Sequence, residues 1–400
     1  MCKDSSLTLV LDLEFTPLSD NFLSEQELNQ PETSYPLQMY LCDNCGLFQL
    51  GYVVPPELMY NENYIYESSV TKTLKDHFLK MAEDICKDYN IPQNSLAIDI
   101  GSNVGVLLSG FRSQGLQILG IDPSPNIVKQ AIKNGIDTIQ GFFSSELAEK
   151  ISNDKGQASI ITGTNIFAHI DNLDDLMKGI NIILKDDGIF VIEAPYVQNL
   201  IDNLEYDTIY HEHLSYLSLR PMVNFFKTLD WEVIDVQWQK IHGGTLRYYV
   251  ARKDKFPISK NVGELLTKEE KLYSKKNLEE FAKKVYLHKK NLVDLLIGLK
   301  RKGKKIVGVS APAKGNTLLN YCKIGNETLD YLTERGKLKI GKFSPGTHIP
   351  IRSDDFLIKD KPDYAVILAW NFADEIMKNL KHFRDSNGKF IIPIPEPKIV

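Results

Sequence analysis

The 400-residue chain has no apolar run near the roughly 18–20 residues that a membrane-spanning helix needs. Its opening, Met1-Cys-Lys-Asp-Ser-Ser6, is not the apolar core of a secretory signal. A cytoplasmic protein with no membrane partner is the expectation. A basic excess is missing too: 47 Lys and Arg against 52 Asp and Glu leave a net charge of −5. That is the wrong sign for displacing counterions from nucleic acid, so no nucleic-acid partner is expected. Lysines do gather between Lys268 and Lys305, but acids are interleaved with them, which is the pattern of a solvated helix face. Cysteines number only five, an odd count that argues against a disulfide framework and leaves metal or core roles.

What is present is 43% hydrophobic and 25% charged, the balance of a globular protein, in a chain too long for one ordinary core. Residues 1–65 are rich in proline and glycine and poor in helical periodicity, so a small module there needs a staple. Cys42-Asp-Asn-Cys45-Gly46 has the spacing that lets two thiolates reach one zinc, and Cys2 is the nearest third ligand. Two reduced thiols in a turn without metal is the other reading.

From 66 to 258 the texture changes. Leu74, Phe78, Met81 and Ile85 predict an amphipathic helix. Short apolar runs then alternate with helical stretches, the signature of a parallel α/β sheet. Leu96–Ile100 reads as a buried strand ending in a tight turn, Gly101-Ser102-Asn103-Val104-Gly105, that opens a helix onto a ligand. The next strand ends in Asp122, placed for ribose hydroxyls. Further strands are expected at Thr138–Phe143, Ser159–Asn165 and Gly188–Pro195. Two more, Trp231–Gln237 and Thr245–Ala251, are so closely linked that they must run antiparallel. A parallel sheet closed by an antiparallel hairpin is the arrangement of S-adenosylmethionine (SAM) methyltransferases. The glycine turn also lacks the Gly-x-Gly-x-x-Gly spacing of a dinucleotide site.

Residues 259–302 read as a charged helical connector. Residues 303–400 begin a second α/β unit, in which Lys314 and the amides near Asn316 suit an anion at a helix start; a plain turn with a solvent-facing lysine is the alternative. Between the fifth strand of the central sheet and its hairpin lies Tyr206-Asp-Thr-Ile-Tyr-His-Glu-His-Leu-Ser-Tyr216. It offers a phenol, a carboxylate and an imidazole at Tyr210, Glu212 and His213, at the sheet edge where open α/β folds bind ligands. A solvated loop shows similar clusters. His211, one position out of phase, is expected to be structural.

Taken together, Cys42–Leu47, Tyr64-Ile-Tyr66-Glu-Ser-Ser-Val70, Asp99–Asn103, Gly120–Asn126, Asn165-Ile-Phe-Ala-His169, the 206–216 stretch, His242–Arg247, Ser310–Asn316 and Pro345–Pro350 resemble the nucleotide-sugar C-methyltransferases that act on 4-keto-deoxysugars. The likeness runs nearly end to end. It implies a zinc-binding N-terminal module using Cys2, Cys42 and Cys45, a class I SAM-methyltransferase domain and a C-terminal Rossmann-like domain. For SAM it implies Asp99, Gly101, Ser102, Asn103, Gly105, Asp122, Pro123, Phe142, Phe143 and Asn165. For a nucleotide-sugar partner it implies Tyr64, His242, Arg247, Lys314, Asn316, Thr347 and His348. His213 is then expected to take the proton beside the ketone, with Tyr210, Tyr66 or His169 donating to the enolate oxygen and Glu212 orienting an imidazole. A monomer or homodimer is expected.

The chain departs from that pattern twice: the family's first Cys-x-x-Cys survives only as Cys2, as though the chain started late, and Val104 stands where an acid is common. An O- or N-methyltransferase, or a non-catalytic SAM- and sugar-binding scaffold, remains as an alternative.

Overall fold

Leu37, Met39 and Leu41 recur at the strand period and turn inward. They make Tyr35–Cys42 (β2) the middle of an antiparallel sheet with Leu7–Thr16 (β1) and Phe48–Leu50 (β3). The computed structural model describes residues 1–59, 72–241 and 243–400; Tyr64, Tyr66 and His242 lie outside the described residues.

The central domain follows from its buried apolar runs. Leu96–Ile100 (β4), Gln117–Asp122 (β5), Thr138–Gln140 (β6), Ala158–Thr164 (β7) and Leu184–Pro195 (β8) are parallel. Ser215–Tyr216 (β9) leaves this sheet and pairs with β3, so the N-terminal sheet has the order β1-β2-β3-β9. Trp231–Gln239 (β10) and Thr245–Arg252 (β11) form the expected antiparallel hairpin. The seven-stranded order is β10-β11-β8-β7-β4-β5-β6, with β11 antiparallel to both neighbours. The helix Lys72–Asp88 buries Leu74, Phe78, Met81 and Ile85.

A second α/β unit has Ile306–Val309 (β12), Leu332–Glu334 (β13), Ile351–Ser353 (β14), Tyr364–Ile367 (β15), Lys389–Ile392 (β16) and Lys398–Ile399 (β17), in the order β14-β13-β12-β15-β16-β17. Its strands are parallel except β17. The helix Lys275–Arg301, expected as a connector, is instead the spine of a shared core. Its Phe281, Val285, Leu292 and Leu296 pack in one apolar cluster with Leu13 and Leu37 of the N-terminal sheet and Leu318, Leu332 and Ile351 of the C-terminal unit. His288 ties the layers further: Tyr206 donates to its Nδ1 at 2.9 Å and its Nε2–H donates to the Pro393 carbonyl at 2.6 Å. Among the described residues no helix is long and apolar enough to cross a membrane.

Candidate active site

A cavity of about 510 Å³ opens at the carboxyl ends of β4, β5 and β7, where the N-terminal module, the central domain and the C-terminal unit meet. At one end stands the turn after β4. Asn103 has φ +49° and Gly105 φ +83°, a left-handed conformation that glycine adopts without strain. A side chain at Gly105 would also strike Ile136. Asp122 accepts from the amides of Asn103 at 3.0 Å and Ser124 at 2.9 Å, so the carboxylate locks both loops while it faces the cavity. Burial pushes Asp99 up to about 7, against the Thr162 hydroxyl that donates to it at 2.6 Å. Asn165 Oδ1 and Ser102 Oγ are buried with no hydrogen-bond partner among the described residues, and both residues line the cavity.

These groups fit SAM. Asp122 would take ribose hydroxyls, Asp99, Ser102 and Asn165 its polar tail, and the half-exposed Phe142 an aromatic face. Gly101, Asn103, Pro123 and Phe143 line the same end, whereas Gly105 stands behind it. Val104 is buried outside the lining, so the absent acid takes nothing from the cavity wall.

The other end carries the chemistry. His213 donates Nδ1–H to the Thr208 carbonyl at 2.8 Å; a carbonyl only accepts, so Nε2 keeps its lone pair. Burial pulls this imidazole down to about 4, partly opposed by Thr208, and it is neutral at pH 7. Tyr210 lies over it with ring centroids 4.0 Å apart, and His169 is 5.0 Å away. His169 is also held below the usual range, by burial and then by His213. The backbone is pinned from both sides: Leu214 N–H donates to Ala168 O at 2.8 Å, and Leu50 N–H to Leu214 O at 2.9 Å. His211 turns away and packs edge-on against Tyr35.

Glu212 does not serve as the partner of His213; the Thr208 carbonyl does. Glu212 faces Asp20 and Lys339 instead, and burial, then Asp20, hold it well above the usual carboxylate range. Lys314 lines the cavity, over the Trp370 ring at 4.1 Å and donating to Asn371 Oδ1. Burial lowers its pKa while Asp207 and Glu205 support its charge, so any bound anion would share this lysine with two carboxyls. Burial raises those two to about 6 and about 7.

Four residues expected at the substrate stand elsewhere. Arg247 is buried in an ion pair with Glu193 at 2.7 Å, and Glu193 also meets His77 at 2.6 Å. The Asn316 amide donates to Ser19 O at 2.6 Å. Thr347 bonds Ser344 at 2.7 Å, and His348 meets Glu32 at 3.0 Å, so this loop clasps the N-terminal module. Conversely, Asp20, Thr208, Lys339 and Asn371 face the cavity without having been singled out in the sequence.

The Sγ atoms of Cys2, Cys42 and Cys45 lie within 4.8 Å of one another, Cys2 and Cys42 being 3.5 Å apart. Zinc–sulfur bonds of about 2.3 Å put tetrahedral corners about 3.8 Å apart, so the three thiols fit three corners. No fourth Cys, His, Asp or Glu joins them among the described residues.

A sheet of this strand order, with an acidic end to its second strand and the polar cradle beside it, defines a SAM-dependent methyltransferase. Family models agree along the chain: "Putative zinc binding domain" over 1–60, "Methyltransferase domain" over 66–236 and "C-methyltransferase C-terminal domain" over 240–395. C-methyltransferase NovU of Streptomyces niveus is 32% identical over all of this chain and 96% of its own length. The chain belongs to this C-methyltransferase family. Solved structures that resemble it include the Haloferax volcanii complex of the Trm112 methyltransferase activator with a methyltransferase (15% identity, 45% of this chain and 93% of that one, TM-score 0.37). Another is magnesium protoporphyrin IX methyltransferase of Synechocystis with bound SAH (11% identity, 47% and 90%, TM-score 0.37).

Proposed function

We propose that the protein methylates the carbon beside the ketone of a nucleotide-activated 4-keto-deoxysugar. The observation that carries this is the tautomer of His213: with Nδ1–H given to Thr208, a half-buried, neutral imidazole lining the cavity keeps its Nε2 lone pair for a proton. A neutral imidazole with one open nitrogen can accept a carbon-bound proton, and removal of such a proton is the step that C-methylation needs and that O-methylation does not. Bound SAM supplies an electrophilic methyl group. His213 Nε2 takes the α-proton, leaving an enolate whose carbon is the nucleophile; Tyr210 and His169, whose rings flank His213, are the donors assigned to its oxygen. His213 then returns its proton to solvent when product leaves. Lys314 and Asn371 bind the polar remainder of the substrate.

The test is incubation with SAM and thymidine-diphospho 4-keto sugars, read by mass spectrometry for the gain of one methylene. His213→Asn is expected to lose both methyl transfer and exchange of the α-hydrogen with heavy water. A variant that keeps both removes His213 from the mechanism.

A further inference from the structure

Three residues of the cavity lining come together from three parts of the chain: Asp20 from the N-terminal module, Glu212 from the catalytic stretch and Lys339 from the C-terminal unit. We propose that Asp20 and Glu212 together read a hydroxyl on the substrate's sugar ring, Asp20 accepting its proton and Glu212 acting as the matching donor, with Lys339 fixing the charge of the pair. This rests on the sugar reading above.

Three observations lead there. The Asp20 side chain is only 10% exposed, and its Oδ1 has no hydrogen-bond partner among the described residues; Lys339 Nζ stands 3.6 Å away, beyond hydrogen-bond length. A buried carboxylate oxygen with no donor is costly unless a ligand supplies one. Both neighbours are anchored. Asn316 and Thr317 hold Ser19, through its carbonyl at 2.6 Å and its hydroxyl at 3.4 Å, so Asp20 is set by the helix Ala313–Cys322. Lys339 donates to the Ala311 carbonyl at 2.8 Å and lies over the Phe22 ring at 4.5 Å.

The charges then select the ligand. Lys339 balances one carboxylate, and Glu212, driven toward its neutral form by burial and by Asp20, brings a proton rather than a second negative charge. The wall is near neutrality and offers a strong acceptor in Asp20 beside donors in Glu212 and Lys339. That is the complement of a hydroxyl, which donates and accepts; an ammonium would add a second cation beside Lys339 without a further carboxylate to balance it. Asp20 and Glu212 are thereby specificity residues, and Asn316 a positioning residue for Asp20.

The experiment compares kcat/KM of the full chain for three thymidine-diphospho 4-keto sugars that differ at one ring position: hydroxyl, deoxy and amino. Wild type is expected to prefer the hydroxyl sugar, and Asp20→Ala to lose about 10- to 100-fold on it while changing little on the deoxy sugar. Asp20→Asn, which preserves shape, should lose most of the same discrimination, and calorimetric SAM affinity should be unchanged in both variants. Equal losses on hydroxyl and deoxy sugars, unaltered discrimination or a wild-type preference for the amino sugar each overturn the proposal. A wild type that binds SAM but methylates no sugar overturns the sugar reading itself and this inference with it.

Discussion

His213 gives its Nδ1 proton to the carbonyl of Thr208 across 2.8 Å, within one turn of chain. The consequence is directional: the imidazole can act only through Nε2, and burial keeps that nitrogen unprotonated down to about pH 4. The acid limb of kcat/KM that belongs to this base is therefore expected near pH 4, with activity lost as pH falls through it. A limb near 6.5 would mean that the imidazole is solvated.

Asp99 gives a stability prediction of opposite sign. Its folded pKa, about 7, lies above the unfolded carboxylate value, so its contribution is fully present below about pH 4 and is lost as pH rises through 7. Asp99→Asn should flatten the fall in denaturation free energy of the SAM-free protein between pH 5 and 8. The same slope in the variant would show that Asp99 is already ionised in the fold.

The buried pair Arg247–Glu193 predicts a large loss when only one partner is removed. Arg247→Met strands a carboxylate that has only His77 left among the described residues, at a cost of about 3–5 kcal/mol by urea denaturation. Substrate KM, measured at a temperature where the variant is folded, should change little. A large rise in KM with normal stability would return Arg247 to the substrate.

The cysteine cluster predicts action at a distance. The turn that holds Cys42 and Cys45 runs directly into β3, which pairs with β9 just beyond His213. Stripping metal with a chelator should lower the melting temperature and kcat together, and Cys45→Ser should do the same. Metal analysis of the purified protein should find about one zinc per chain. Loss of zinc with no thermal shift would detach the cluster from the fold.

Much of this was legible in the sequence, for identifiable reasons. The parallel strands of the central sheet are buried on both faces, so each stands out as an apolar run, and the turn after Ile100 and the acid at Asp122 follow from chain order. Tyr210 and His213 are close in sequence and stay close in space. What escaped was convergence. Asp20 and Lys339 sit in unremarkable loops far from each other in sequence, and only tertiary packing puts them beside Glu212. Thr208 acts through a backbone carbonyl, which no side-chain motif announces. Arg247, Asn316, Thr347 and His348 misled because polar residues in a dense motif serve assembly as readily as binding: Arg247, Asn316 and His348 are occupied by other parts of the protein and Thr347 by its own loop.

Glu32 accepts the Gly346 amide on both oxygens at 3.0 Å and meets His348 as well. The apolar face of β1 and β2 waits likewise for Phe281, Val285 and the C-terminal unit. At about 5–20 residues per second, some 250 residues of synthesis leave part of that face uncovered for about 12–50 s. Through that interval the exposed apolar face of those strands is where a chaperone is most needed, and where crowded expression would first show as aggregation.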